Sequence, residues 1–289
     1  MARIAATPSS AARPPSFELP SPARLRTLRT AILSWYAANA RELPWRRTTD
    51  PYAVLVSEVM LQQTQVSRVV PRYDDWLRRW PDLESLAATP LADVLRCWQG
   101  LGYNARARRL RECAAASVAG SPHGDRAALP RTLDGLLALP GIGPYTARAV
   151  LVFAHNLDLA AVDANVRRVL THELRLPKDL PQSDLQRVAD AALPRGRSRD
   201  WHNALMDYGS LVLTARATGI APRTRQSTFE GSRRQRRARL LRVVLDVGPA
   251  PLGRIAAAAR LGAADADDLV RDLASDGLVR LDDGLVSVP

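Results

Sequence analysis

Apolar residues recur every three or four positions along most of this chain, and their stripes predict a succession of helices. Leu25–Ala40 is amphipathic, with Leu25, Leu28, Ile32, Leu33 and Tyr36 on one face. Leu43-Pro44-Trp45-Arg46-Arg47 then reads as a break in extended form. Pro51-Tyr52 opens a helix carrying Val54, Val56, Glu58, Met60 and Leu61 and running to about Val66. Val69–Trp80 places Tyr73, Trp76, Leu77 and Trp80 at helical spacing, which suits a core more than a base-stacking platform. Short helices are expected over Leu83–Thr89 and Pro90–Trp98. After a Gly100-Leu101-Gly102-Tyr103 turn comes an Arg-studded helix, Ala105–Ala119, and then a loop over Gly120–Pro130. Further helices are read at Thr132–Ala138, Ala147–Asn156, Val166–Leu174, Ser183–Ala192 and Asp200–Ala215. Strand signals are nearly absent to this point, so the fold class is all-α.

The two ends differ from this core. Residues 1–22 are rich in Pro, Ala and Ser and read as a disordered tail. The all-α core spans 23–215. Residues 216–232 form a basic linker, and 233–289 form a separate small domain. Nine arginines between Arg216 and Arg242 face one acid, Glu230, a run that fits either a solvated face or phosphate contact. Helices at Arg237–Val247, Leu252–Leu261 and Ala266–Asp276 precede two alternating runs around Asp282-Asp283-Gly284, a hairpin pattern. Three helices and a terminal hairpin resemble a winged helix. Its third helix and the turn before it carry Asp265, Asp267, Asp268 and Asp272, which favours packing or partner contact over reading a DNA groove.

The most informative stretch is Leu139-Pro140-Gly141-Ile142-Gly143-Pro144-Tyr145-Thr146. It leaves room between two helices for only a tight turn. Pro144 suits a first helical turn, where its missing N–H is harmless. Gly141 and Gly143 are expected to take positive φ and approach a neighbour closely. Turn and helix-start amides would then converge on one spot, favouring an anion such as a phosphate. An ordinary helix-packing corner is the alternative, but the flanking residues and the Asp in Val162-Asp163-Ala164-Asn165-Val166 favour DNA.

Two carboxylates stand out. Glu58 lies in a helix that is apolar on both sides of it, so its carboxyl is expected to be half-desolvated and protonated near neutral pH. A surface glutamate on an amphipathic helix is the other reading. Asp163 follows Ala160-Ala161-Val162 and precedes a helix, as an N-cap does. Backbone bonds would keep such a carboxylate ionised and oriented. One neutral and one charged carboxyl is the division of labour that breaking a glycosidic bond requires.

Composition narrows the classes. At 289 residues with 46% hydrophobic content the chain holds a real core. A net charge of +12 calls for a polyanionic partner. Lys178 is the only lysine, so a Schiff-base mechanism through a lysine has a single candidate. No apolar run reaches about 18 residues and no secretory signal is evident, so no membrane association is expected. Cys97 and Cys113 do not make a disulfide framework and cannot by themselves form a four-cysteine metal site. A cytoplasmic, nucleoid-associated, monomeric protein fits this.

The motifs Leu43-Pro44-Trp45-Arg46, Asp50-Pro51-Tyr52, Val56–Gln65, Gly100–Tyr103, Leu139–Ala147 and Ala161–Val166 occur in one order at one spacing. Together they resemble the helix-hairpin-helix DNA glycosylase superfamily and, within it, the adenine DNA glycosylase (MutY) family, from about Leu25 to Val212. The resemblance implies a two-lobed core and excision of adenine mispaired with guanine or 8-oxoguanine in double-stranded DNA, during base excision repair. It implies that Glu58 protonates the leaving base and activates water, and that Asp163 stabilises the sugar cation. Tyr145 and Asn165 match further pocket residues, and Trp45, Arg46 and Leu61 match residues that line the adenine site. Gln62 and Gln63 match the segment inserted near the opposing base. Tyr103, Asn104, Leu139, Gly141, Gly143 and Thr146 match the DNA-contacting turns. Bifunctional relatives carry a lysine where Tyr145 stands, so hydrolysis without efficient lyase activity is expected.

Three departures qualify the resemblance. Most relatives hold a [4Fe–4S] cluster through four cysteines after the helix matching Asp200–Leu213, but Thr214–Thr228 contains no cysteine. Thiolates hold such clusters, so a clusterless protein with no metal cofactor is expected. The 8-oxoguanine-recognising domain of many relatives needs over a hundred residues, and about sixty follow Phe229. Asn104 stands where a second, wedging tyrosine is frequent. A thymine or uracil mismatch glycosylase and a non-catalytic DNA-binding protein are the competing readings. An iron–sulfur redox protein is disfavoured by the cysteine count.

Overall fold

The computed structural model describes residues 17–122, 125–223 and 228–289. Most of the expected tail, and Arg225 of the basic linker, lie outside the described residues. The helices are α1 (Pro22–Asn39), α2 (Pro51–Leu61), α3 (Val66–Arg79), α4 (Leu83–Ala88), α5 (Leu91–Trp98), α6 (Ala105–Ala119), α7 (Leu133–Leu137) and α8 (Pro144–His155). They continue with α9 (Ala164–Glu173), α10 (Gln182–Ala191), α11 (Ser198–Leu211), α12 (Ala215–Thr218) and α13 (Arg233–Val247). The last elements are β1 (Ala250–Pro251), α14 (Leu252–Ala258), α15 (Ala263–Ser275), β2 (Arg280–Asp282) and β3 (Leu285–Ser287). No described helix is long and apolar enough to cross a membrane.

Contacts divide the chain into two compact units. One comprises residues 17–40 with Val162–Ala221, the other Arg41–Ala161 with Pro222–Pro289. In the first, α11 packs on both α1 and α9. Arg29 ties α1 to the end of α10, its Nε and Nη2 donating to the carbonyls of Ala192 and Ala191 at 2.9 and 2.6 Å.

The second unit is centred on α2. Asp50 caps this helix, accepting from the amides of Tyr52 and Ala53 at 3.2 and 3.1 Å, and Pro51 occupies the first turn. Every residue from Tyr52 to Met60 is buried. The expected extension to Val66 does not occur. Gln63 sits at φ 54°, a left-handed conformation that stops the helix, and α3 begins afresh at Val66. Trp45 lies in a 3₁₀ turn, Pro44–Arg46, and not in extended chain, because the carbonyls of Leu43 and Pro44 accept from Arg46 and Arg47 at 3.0 and 3.1 Å. The aromatics of α3 are core, as their spacing suggests: Trp76 meets Trp80 and Trp98 edge-on, with ring centroids 4.6 and 5.4 Å apart.

The C-terminal elements form the winged-helix arrangement read from the sequence, with one addition. A short β1 makes the sheet three-stranded and antiparallel, in the order β1-β3-β2, Ala250 pairing with Val286. Asp283 and Gly284, both at positive φ, form the two-residue turn between β2 and β3. Part of the basic run pairs with the acids of α15 and of the residue after it. Arg233 of α13 bridges Asp268 and Asp272 of α15 at 2.5 and 2.6 Å, Arg236 reaches Asp265 at 2.8 Å, and Arg237 holds Asp276. These three arginines join α13 to α15 and the residue after it while remaining partly exposed.

Candidate active site

Glu58 sits in the middle of α2 and is 7% exposed. It is the only charged residue of that helix, flanked by buried Ser57 and Val59. The surface-glutamate reading is therefore wrong, and a carboxyl is carried into the interior by an otherwise apolar helix. At the end of α2, Leu61 and Gln62 are half-buried and Gln63 is exposed. Trp45 packs edge-on against Tyr73, centroids 5.6 Å apart, and Arg46 donates to the carbonyl of Arg41 at 2.9 Å.

The segment after α2 is held by a residue the sequence reading passed over. Arg106, buried on α6, donates through Nη1 to the carbonyls of Val59, Met60 and Gln62 at 2.6, 3.0 and 2.7 Å. Its Nη2 reaches Thr64 Oγ1 and the carbonyls of Leu101 and Gly102 at 3.0, 3.1 and 2.9 Å. One guanidinium thus satisfies the helix C-terminus and ties it to the Gly100–Asn104 turn. Burial lowers its pKa to about 10, which leaves it charged at neutral pH. In that turn Tyr103 takes φ 47° and leaves its ring 37% exposed. Asn104 precedes α6 and makes no side-chain cap.

The helical hairpin forms as expected between α7 and α8. Thr132 caps α7, accepting from Gly135 N at 3.2 Å, and Ile142 N donates to the Leu139 carbonyl at 3.3 Å to close the turn. Only one of the two glycines needs positive φ. Gly141 lies at φ 77°, and a Cβ there would stand 2.6 Å from Arg109 Cβ. Gly143 is extended at φ −92°, ψ 173°, because it is the N-cap of α8; a Cβ there would meet nothing within 4 Å. What its missing side chain provides is access from outside. Tyr145 is half-buried in the first turn of α8. Thr146 is buried, its Oγ1 accepting from Gln62 Nε2 at 3.4 Å, so the end of α2 and the hairpin adjoin.

Asp163 and Asn165 belong to the other unit. Asp163 is the N-cap of α9, Oδ1 accepting from Val166 N at 2.7 Å and Oδ2 from Asn165 Nδ2 at 2.9 Å. The capping expectation holds, and burial works against the charge of the capping carboxyl. Desolvation raises the carboxyl's pKa, and this outweighs the hydrogen bonds from Val166 and Asn165 that favour the anion. Buried Arg168 donates to Asn165 Oδ1 at 2.6 Å and to the carbonyls of Gly209 and Leu213 at 2.7 and 2.5 Å. Gly209 lets α11 approach: a Cβ there would lie 2.8 Å from Asn165 Cβ. Neither residue was singled out in the sequence, although a glycine inside a helical apolar pattern is a signal of close approach.

In the second unit a buried carboxyl on an apolar helix accompanies a helical hairpin with open space before Gly143, and in the first unit a carboxyl is oriented at a helix start. Residues 56–192 match the HhH-GPD superfamily of base excision DNA repair proteins. The chain is 43% identical over 236 residues to the adenine DNA glycosylase of Mycolicibacterium smegmatis, covering 74% of this chain and 79% of that protein. It is 37% identical over 286 residues to that of Mycobacterium tuberculosis, covering 90% and 93%. Among solved structures, a thermostable thymine-DNA glycosylase superposes with a TM-score of 0.61 at 29% identity, covering 68% of this chain and 90% of that one. The chain belongs to the adenine DNA glycosylase family.

Proposed function

We propose that this protein excises adenine that faces guanine or 8-oxoguanine in duplex DNA, by hydrolysis. The observation that carries the reading is the buried carboxyl of Glu58 on a helix with no other charge. A base inside the stack is out of reach, so the adenine is extruded first. Glu58 gives its proton to the departing purine as the C1′–N bond breaks with both electrons on the base. Water then adds to C1′ and returns a proton to Glu58. Asp163, aimed by Val166 N and Asn165, supplies the anion that stabilises the sugar cation. The adenine side chains are Trp45, Arg46 and Leu61, and Gln62 and Gln63 face the opposing base. The N-terminus of α8, open at Gly143, receives a phosphate.

Tyr145 supports hydrolysis alone. A phenol cannot form the Schiff base that breaks the strand, and Lys178 is the only lysine of the chain. The reading also has no cluster. The segment after α11 offers Leu213, threonines and arginines where thiolates would be needed, and both cysteines are buried on α5 and α6. Thr214 caps α12 instead, accepting from Ala217 N at 3.1 Å, and Arg167 holds the Ala221 carbonyl.

The test is an excision panel on duplexes with one A·8-oxoG, A·G, T·G or U·G pair. The expected result is alkali-labile sites at adenine only, intact strands without alkali, and no excision by Glu58→Gln with binding retained. Excision at T·G or U·G instead would assign the thymine-type activity that the name of the superposed structure carries. A wild type that binds every duplex and excises nothing would make the protein a binder.

A further inference from the structure

The winged-helix-like domain touches the Gly100–Asn104 turn through a stack of side chains. Arg234 of α13 lies over the Tyr103 ring, 5.5 Å from its centroid, and over the Phe229 ring, 5.7 Å from its centroid. It also donates through Nη1 to the Tyr103 hydroxyl at 2.6 Å. Both rings are open to solvent, Tyr103 at 37% and Phe229 at 51%. Neither is loosely attached. Arg106 approaches Tyr103 as a second cation, 5.7 Å from its ring centroid, and accounts for the backbone of its turn. The Phe229 carbonyl accepts from Ser232 N and Oγ at 3.1 and 2.6 Å, in the turn that leads into α13.

The remaining contacts between α13 and the core fix this placement. Arg96 Nη2 donates to the Leu245 carbonyl at 2.8 Å and Arg242 Nε to Gln99 Oε1 at 3.2 Å, so α13 is docked along α5 and the start of the same turn. Asp265, Asp268, Asp272 and Asp276 are engaged with Arg233, Arg236 and Arg237, and Arg234 lies over two exposed rings. An exposed large aromatic held rigidly next to a cation is a poor solvent-facing element and a good stacking platform for a nucleobase.

We propose that Phe229, Arg234 and Tyr103 form one composite wedge that stacks on duplex DNA at the extruded nucleotide. This rests on the DNA reading above. Phe229 stacks on a base left without its neighbour, and Arg234 keeps the two rings apart and adds positive charge beside the strand. The small domain then serves the core's own substrate without entering a groove.

The test compares Phe229→Ala and Phe229→Trp, each combined with Glu58→Gln, by fluorescence anisotropy on an A·8-oxoG duplex and on its A·T counterpart. A 2-aminopurine next to the target adenine reports unstacking. Base–aromatic stacking of this kind corresponds to a roughly 5- to 150-fold loss of affinity on truncation to alanine. The expected result is a loss in that range for Phe229→Ala, with the 2-aminopurine signal reduced, the melting temperature unchanged, and recovery in Phe229→Trp. Arg234→Gln should show an intermediate loss. Affinity and 2-aminopurine signal in the Phe229→Ala double variant equal to those of Glu58→Gln alone, where the unaltered protein excises adenine, would overturn the wedge alone. An unaltered protein that neither binds nor excises any of the duplexes would overturn the DNA reading and the wedge with it.

Discussion

Arg168 holds Asn165, its Nη2 donating to Oδ1 at 2.6 Å, and Asn165 in turn donates to Asp163 Oδ2 at 2.9 Å. The first bond fixes which way the Asn165 amide faces, and so makes its nitrogen the group that meets the carboxylate. The same guanidinium holds the Gly209 and Leu213 carbonyls, so one buried side chain positions the α9 N-terminus, the end of α11 and the carboxylate together. Arg168→Ala leaves these acceptors buried and unpaired and is expected to lower stability by about 1–3 kcal/mol or more, read by urea denaturation. Gly209→Ala is the milder probe, because it presses on Asn165 while leaving every hydrogen-bonding group in place. It should reduce the excision rate constant more than duplex affinity. Equal losses in both would show that Asp163 positioning is not what Gly209 serves.

Asn165 also sets the pH range of activity. Burial raises the Asp163 pKa while the bond from Asn165 opposes that rise. The anion is the form that can stabilise a sugar cation, so single-turnover excision should fall as pH drops through the raised pKa. Removing the donor in Asn165→Ala pushes the pKa further up, and the acid limb of the profile should move to higher pH. Stability changes in the opposite sense. The folded carboxyl keeps its proton above the ordinary value of 3.8, so folding stability declines as pH rises from there through the raised pKa. An acid limb unchanged in Asn165→Ala would remove Asp163 from control of the rate.

Much of this was legible in the chain, and the exceptions have physical causes. Pro51-Tyr52 announced the start of α2, and the Leu139–Thr146 stretch announced the hairpin by length and glycine content. The end of α2 was misplaced because Gln62-Gln63-Thr64-Gln65 holds no glycine or proline to mark a stop, while the stop is a left-handed Gln63 whose neighbouring carbonyls are taken by an arginine 40 or more positions away. Arg106 and Arg168 were hidden because sequence counts them among many arginines, and only the fold shows which guanidinium is buried. The carboxylates at 58 and 163 stood out because each interrupts or follows an apolar run.

Arg106 is expected to resist its conservative replacement. Arg106→Lys keeps the charge, but an ammonium has three donors on one atom and cannot span the carbonyls of α2 and those of the Gly100–Asn104 turn together. The planar stacking on Trp98, whose ring centroid is 5.2 Å from the guanidinium carbon, is lost as well. The variant should fold with a lowered melting temperature and lose duplex affinity, because Gln62, Gln63 and Tyr103 are no longer held in one arrangement. Limited proteolysis should show new cleavage around 62–65 and 100–104. Protection equal to wild type would assign the binding loss to something other than loop order.

The two hairpin glycines should separate stability from binding. Gly141 is left-handed and a Cβ there meets Arg109 Cβ at 2.6 Å, so Gly141→Ala strains the backbone and displaces a helix side chain. A loss of roughly 1–3 kcal/mol is expected by denaturation. Gly143 has an extended backbone and open space before it, so Gly143→Ala should leave stability within about 0.5 kcal/mol of wild type. Yet the added methyl stands at the start of α8, where a phosphate must approach the amides. Gly143→Ala should therefore weaken duplex binding, and lose that defect at high salt, where the phosphate contribution is already screened away from the wild type. A Gly143→Ala protein of unaltered affinity at low salt would show that the DNA backbone does not approach the hairpin at this point.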